Sequence, residues 1–156
     1  MTIIIDGNNL IHKVPNLKKL FLKDMESAQS VLIETVNSHK TRTDKIIFVF
    51  DGFGNINKSE VVYSKKITAD EVIRKKIENF SNTRLLKVVS SDHEIINFAR
   101  VCGCEVRKSE DFWKELNIKK SPAEGKNINQ NYIYDDKEKP ERLSRKEIDE
   151  FKKYFT

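Results

Sequence analysis

Three short apolar runs, each closing on an aspartate, constrain this chain more than any other feature. Thr2-Ile3-Ile4-Ile5 runs into Asp6, Ile46-Ile47-Phe48-Val49-Phe50 into Asp51, and Leu86-Lys87-Val88-Val89-Ser90-Ser91 into Asp92. Runs this short and this rich in β-branched residues read as strands buried on both faces. Segments of helical spacing lie between them, and strands alternating with helices of that length define an α/β fold with a doubly wound, mainly parallel sheet. The carboxyl ends of such strands share one edge, where ligands bind at the topological switch point. Asp6, Asp51 and Asp92 therefore fall on one edge, joined by Asp70 at the start of a helix. Carboxylates gathered there repel one another unless a cation neutralises them, so a hard-metal site is the first expectation.

The remaining elements follow from periodicity and capping. Asp6-Gly7-Asn8-Asn9 has the chemistry of a loop. A helix is predicted from about Asp24, with Ala28, Val31, Leu32, Thr35 and Val36 on one face. The strand Lys45 to Phe50 leads into a glycine- and asparagine-rich loop over 52–58, and Val61 to Ser64 reads as a short edge strand. Thr68 caps a helix starting at Ala69, with Glu71 completing a capping box and Val72, Ile73, Ile77 and Phe80 as the buried stripe. Strand Leu86 to Val89, helix Asp92 to Val101, strand Cys104 to Val106 and helix Ser109 to Leu116 complete the alternation.

At 156 residues the chain suits one domain with a sizeable core. That domain is expected over 1–118. Composition then changes: 119–142 reads as a linker or extended segment, and 143–156 as a C-terminal helical tail capped by Ser144 with Glu147 three residues on. Ile148, Phe151, Tyr154 and Phe155 give that helix an apolar face, which is expected to dock on the domain or on a partner.

Charged residues make up 34% of the chain, no apolar stretch is long enough to cross a bilayer, and the Met-Thr-Ile-Ile-Ile start lacks the charged region of a signal peptide. A cytoplasmic location is expected. Cys102 and Cys104 flank Gly103 too closely to bridge within a strand-like segment, and His12, His39 and His93 are too scattered to complete a zinc site. Both cysteines are read as inert thiols.

The net charge is +5. Residues 119–156 contribute +2 and residues 1–118 the other +3, despite the acidic edge. The rest of the surface must then be more basic than the total implies, a pattern suited to holding a phosphate backbone around a metal centre.

Each motif has a purely structural alternative. Asp6-Gly7-Asn8-Asn9 is ordinary turn composition, Asp51 can serve the turn after a buried strand, and acids in a helix's first turn are stabilised by its dipole at roughly 0.3–1 kcal/mol each. Glu71 is assigned to the cap and Asp70 to the site. His93, in a first helical turn, is assigned no chemistry.

Taken together, Ile-Ile-Ile-Asp-Gly-Asn-Asn at 3–9, Val-Phe-Asp-Gly at 49–52, Thr-Ala-Asp-Glu at 68–71 and Val-Ser-Ser-Asp at 89–92 resemble the NYN domain of the PIN-like nuclease superfamily, in its YacP-like branch. The order and spacing hold over roughly residues 2–117. The resemblance implies a PIN-like sheet and divalent-metal-dependent cleavage of RNA. It assigns Asp6, Asp70 and Asp92 to the acidic cluster that would hold Mg2+ or Mn2+, Asn9 to the polar position of the opening motif, and Asp51 to a supporting acid. Some relatives carry a further acid one helical turn after the Asp92 position. Ile96 stands there in this chain, and Glu94 is a poor geometric substitute, which makes one metal the safer expectation than two.

Lys13, Lys58, Lys65, Lys66, Arg74, Arg107 and Lys108 flank the expected edge or its loops and are the candidates for RNA contact, although surface cations need no such role. The competing reading is a non-catalytic RNA-binding or ribosome-associated module on the same fold. Concentrated acid where phosphate must sit argues against it. A phosphatase or phosphotransferase fares worse, since the chain has no Asp-x-Asp nucleophile pair and no phosphate-cradling loop.

Overall fold

In the computed structural model the described residues are 1–120, with side chains described to 117. The expected linker at 119–142 and helix at 143–156 therefore fall almost wholly outside the described residues. Within them, five strands form one sheet: β1 (Thr2–Asp6), β2 (Lys45–Phe50), β3 (Val61–Tyr63), β4 (Leu86–Val89) and β5 (Glu105–Arg107). Their spatial order is β3-β2-β1-β4-β5 and every pairing is parallel. Six helices flank the sheet: α1 (Gly7–Lys13), α2 (Pro15–Lys23), α3 (Met25–Asn37), α4 (Ala69–Glu78), α5 (His93–Val101) and α6 (Ser109–Lys120). A single 3-10 turn, Thr83–Leu85, leads into β4.

Strand alternation sorts the core into two layers. Ile3 and Ile5 of β1, Ile46, Phe48 and Phe50 of β2 and Val89 of β4 pack with α1, α2, α3 and α6. Ile4, Val49, Leu86 and Val88 point the other way, onto Ala69, Ile73 and Ile77 of α4 and Ile95 and Ala99 of α5. The long apolar runs follow from this two-sided burial, since every position of β1 beyond its first residue is buried.

The region after β1 differs from the sequence expectation. Gly7-Asn8-Asn9 is not a loop but the opening of α1, with Asp6 as its N-cap residue. A Cβ on Gly7 would fall inside the Phe50 ring, so glycine is present for close approach of a helix to β2 and not for a turn. Pro15 sits at the start of α2, where its missing N–H costs nothing. By contrast, α4 begins as its sequence indicates. Thr68 Oγ1 accepts from Glu71 N at 3.1 Å, and Glu71 Oε1 accepts from Thr68 N at 3.1 Å.

Candidate active site

The strand order reverses at β1, because β1 is followed across its first connection by β2 on one side while β4 pairs on the other. Asp6 is the last residue of β1 and aligns with Val49 of β2, so it occupies the carboxyl edge at the switch point. Its side chain is buried, at 6% exposure. Ser90, immediately after β4, donates its hydroxyl to Asp6 Oδ2 at 2.9 Å.

Burial drives the Asp6 carboxyl from its ordinary 3.8 to about 6. The Ser90 hydroxyl and the Asn9 backbone amide offset that desolvation in part, and the negative charges of Asp92 and Asp70 add to it. Three of the four expected acids are thus electrostatically coupled.

Asp92 is the N-cap residue of α5, and its Oδ1 accepts from Glu94 N at 2.9 Å. The Ser90 hydroxyl also accepts from Asp92 N at 3.1 Å. One side chain therefore positions both Asp6 and Asp92.

Asp70 lies in the first turn of α4, where Arg74 Nε donates to its Oδ2 at 2.9 Å. Its other oxygen, Oδ1, is buried and has no hydrogen-bond partner among the described residues. Arg74 is held in turn over the Phe98 ring, 4.9 Å from its centroid, and reaches Glu94 at 3.8 Å.

Asp51 has a different environment. Its Oδ1 accepts from Ala69 N at 3.0 Å and from Ser64 Oγ at 3.3 Å, while its own N–H donates to Asn8 Oδ1 at 3.1 Å. It ties the end of β2 to the starts of α1 and α4, and thereby places Asp70.

Asn9 is a further tie. Its Oδ1 accepts from Ser91 N at 2.8 Å and from Ser109 Oγ at 2.7 Å. Ser91 Oγ accepts from Ser109 N at 3.0 Å and donates to Glu110 Oε1, and that contact is the chief reason the Glu110 carboxyl lies below its ordinary value. Ser90, Ser91, Ser109 and Glu110 thus join the site as positioning residues. For Ser90 and Ser91 the signal was present in the motif Val-Ser-Ser-Asp. For Ser109 and Glu110 only the helix start was visible, because their partners lie far away in sequence.

The basic candidates divide by place. Lys65 and Lys66 follow β3 at the carboxyl edge and are exposed. Arg107 ends β5 and Lys108 follows it; Lys13 and Lys108 both act electrostatically on Glu110. Arg107 pairs with Glu115 at 2.9 Å. Arg74 is committed to Asp70. Lys58 precedes β3 and so lies at that strand's amino end. Ile96 is buried, and Glu94 is largely exposed. His93 is exposed, and Cys104 is buried with burial pushing its thiol up.

The chemistry of this donor set suits a hard cation: a carboxyl raised by burial and, to a lesser degree, by its acidic neighbours, and an orphaned carboxylate oxygen on Asp70, both gain from a positive charge. Among the described residues, however, no group of three His, Cys, Asp or Glu is already drawn together closely enough to hold a metal ion. The fit is electrostatic, with Asp70 turned to Arg74.

The five-stranded parallel sheet, with acids coupled at its switch point, is an α/β fold. The model of the YacP-like NYN domain matches residues 3–156, and the chain belongs to that family. The match extends beyond residues 2–117, the span of the recognisable motifs.

Two solved structures of Rae1 (YacP) from Bacillus subtilis are similar. One covers 99% of this chain and 94% of that chain at 25% identity with a TM-score of 0.64. The other, of a mutant, covers 76% and 75% at 27% identity with a TM-score of 0.63. No curated protein matches the chain. Among the described residues no helix is long and apolar enough to cross a membrane.

Proposed function

We propose that this protein is a divalent-metal-dependent ribonuclease, an endonuclease acting on single-stranded RNA such as mRNA, in the cytoplasm. The observation that carries the reading is the state of Asp6: a buried carboxyl at the switch point, raised to about 6, with Asp92 and Asp70 contributing to the rise. A buried carboxyl with its ionisation disfavoured and other acids beside it is the arrangement that functional sites favour.

Asp6, Asp70 and Asp92 are the residues that would hold Mg2+ or Mn2+. The bound ion supplies charge neutralisation at phosphate and a water of lowered pKa for in-line attack. The chain's own residues prepare that site. Ser90 fixes Asp6 and Asp92 relative to each other, Asn9 holds the turn that carries Ser91, and Asp51 holds the start of α4 beneath Asp70. Lys13, Lys65, Lys66 and Lys108 are placed to attract the RNA backbone. No histidine is needed.

The test is cleavage of several single-stranded RNAs with Mg2+ or Mn2+, using chelator as control. Asp6→Asn, Asp70→Asn and Asp92→Asn should each abolish cutting while circular dichroism stays unchanged. Undiminished cutting by Asp92→Asn would remove the metal assignment. A second reading, an RNA-binding or ribosome-associated module without turnover, draws on the Arg74–Asp70 ion pair, which neutralises one of the acids internally. Tight RNA binding with no cutting by wild-type protein in either metal would establish it.

A further inference from the structure

The loop between β2 and β3 carries an exposed phenylalanine that neither the fold nor the acid cluster uses. Phe53 is 64% exposed, two residues beyond Asp51 at the carboxyl edge. Leaving such a ring in water forgoes roughly 1.5–3 kcal/mol of burial.

The loop is not slack around it. On one side, Gly52, at φ +82°, donates its N–H to Ser64 Oγ at 2.8 Å and accepts from Lys65 N at 2.8 Å. On the other, Gly54 lies so close to the Tyr63 ring that a Cβ there would overlap it. Tyr63 Oη accepts from Ile56 N at 3.3 Å and donates to Gln29 Oε1 at 2.9 Å, which fastens the far end of the loop to α3. Gly52 is therefore tied to the residues that follow β3 and Gly54 packs against the Tyr63 ring of β3, while the Phe53 side chain between them stays exposed.

Cations adjoin it. Lys65, itself in the left-handed region at φ +61°, and Lys66 are exposed on the turn that bonds to Gly52. Ile67, 39% exposed, extends the apolar surface of the same turn. An exposed aromatic ring on a tied loop, close in the fold to two exposed lysines, offers what a single-stranded nucleic acid needs. The ring's π-face receives a base, and the ammonium groups receive the flanking phosphates.

We propose that Phe53 is a stacking platform for one base of single-stranded RNA, with Lys65 and Lys66 holding the adjacent backbone as the strand leads to the acid cluster. The assignment rests on the RNA-cleaving reading for its ligand, and gives the site a means of gripping unpaired rather than duplex RNA. A base inside a duplex has no free face for the ring.

The experiment compares wild type, Phe53→Ala, Phe53→Leu and Phe53→Trp as full-length chains. It measures cleavage KM and kcat on an unstructured oligouridylate with Mn2+, and binding of the same oligomer by fluorescence anisotropy in chelator. Phe53→Ala and Phe53→Leu are expected to weaken binding and raise KM by roughly tenfold, with kcat little changed. Phe53→Trp should keep wild-type values, and its added indole fluorescence should be quenched by the oligomer but not by an abasic ribose-phosphate chain.

Wild-type KM and binding in Phe53→Ala, or full recovery by leucine, overturns the platform while the nuclease reading stands. If wild-type protein binds the oligomer but never cuts it, a tenfold loss in Phe53→Ala still supports the platform and the catalytic reading falls. Absence of both binding and cutting in wild type overturns both. The side chain is exposed, so a change in thermal melting is not expected in any of these variants.

Discussion

Asn9 Oδ1 accepts a hydrogen bond from Ser109 Oγ at 2.7 Å, joining the first turn of α1 to the first residue of α6 across a hundred positions of sequence. The same oxygen accepts from the Ser91 backbone at 2.8 Å, so one amide organises three segments around the acid cluster.

Asn9→Ala removes the acceptor from two donors, one of them a backbone N–H. The backbone N–H left unsatisfied costs roughly 1–3 kcal/mol and the hydroxyl, which can rotate, about 1, so urea denaturation should show a loss of about 2–4 kcal/mol. Ser109→Ala removes one of those donors and should cost only about 1 kcal/mol. Equal losses would mean that the amide does not act as the hub.

The Asp6 carboxyl makes a signed prediction about pH. Its folded value near 6 lies above its ordinary 3.8, so between those values the folded state binds more protons than the unfolded one. Its contribution to stability is therefore full below about 3.8 and is lost as pH rises through 6, a difference of about 3 kcal/mol. In chelator, Asp6→Asn should be more stable than wild type at pH 8, with the advantage shrinking as pH falls from 6 towards 4. Mn2+ should raise the melting temperature of wild type and leave that of Asp6→Asn unchanged. At sub-saturating Mn2+, cleavage should fall as pH drops through 6, because protonation of Asp6 competes with metal binding, and saturating Mn2+ should move that fall to lower pH.

Arg74 competes with any cation for Asp70, through an ion pair of 2.9 Å and by its own positive charge. Arg74→Gln should therefore tighten Mn2+ binding by about two- to fivefold, as read by calorimetry; exposed and half-exposed pairs of this kind rarely exceed 1 kcal/mol. Weaker metal binding would show that the guanidinium orders Asp70 for the metal.

Gly7→Ala should destabilise the protein by about 1–3 kcal/mol, because its Cβ would overlap the Phe50 ring. The smaller side chain of Phe50→Leu should restore part of that loss in the double variant. Additive losses in a double-mutant cycle would place the strain elsewhere.

The sheet and the pairing of strands with helices were legible because burial on both faces leaves an unmistakable record: β2 spans Lys45–Phe50 and β4 Leu86–Val89, as their apolar runs indicate. The capping box of α4 was equally local, and so readable. Gly7-Asn8-Asn9 reads as a loop in the sequence because glycine serves turns and close packing alike, and the ring that requires it belongs to another strand. The same limit applies to the site. Sequence set Asp6, Asp70 and Asp92 on one edge, and the i,i+4 spacing of Asp70 and Arg74 on a helix allows their pair, yet nothing local announces Ser109 reaching Asn9. For Asp51, strand-end position was legible; its engagement with Ala69 N and Ser64 Oγ was not.

Because β1 occupies the middle of the sheet, the first strand synthesised must wait for much of the chain to follow it. Asp6 acquires Ser90 only when β4 has emerged, and Asn9 acquires Ser109 only when α6 begins. Until about residue 109 has been translated, the carboxylates remain scattered on an unfinished chain. An acid cluster assembled in that order is held together by the two ends of the described fold, and no shorter stretch of the chain contains all of its ties.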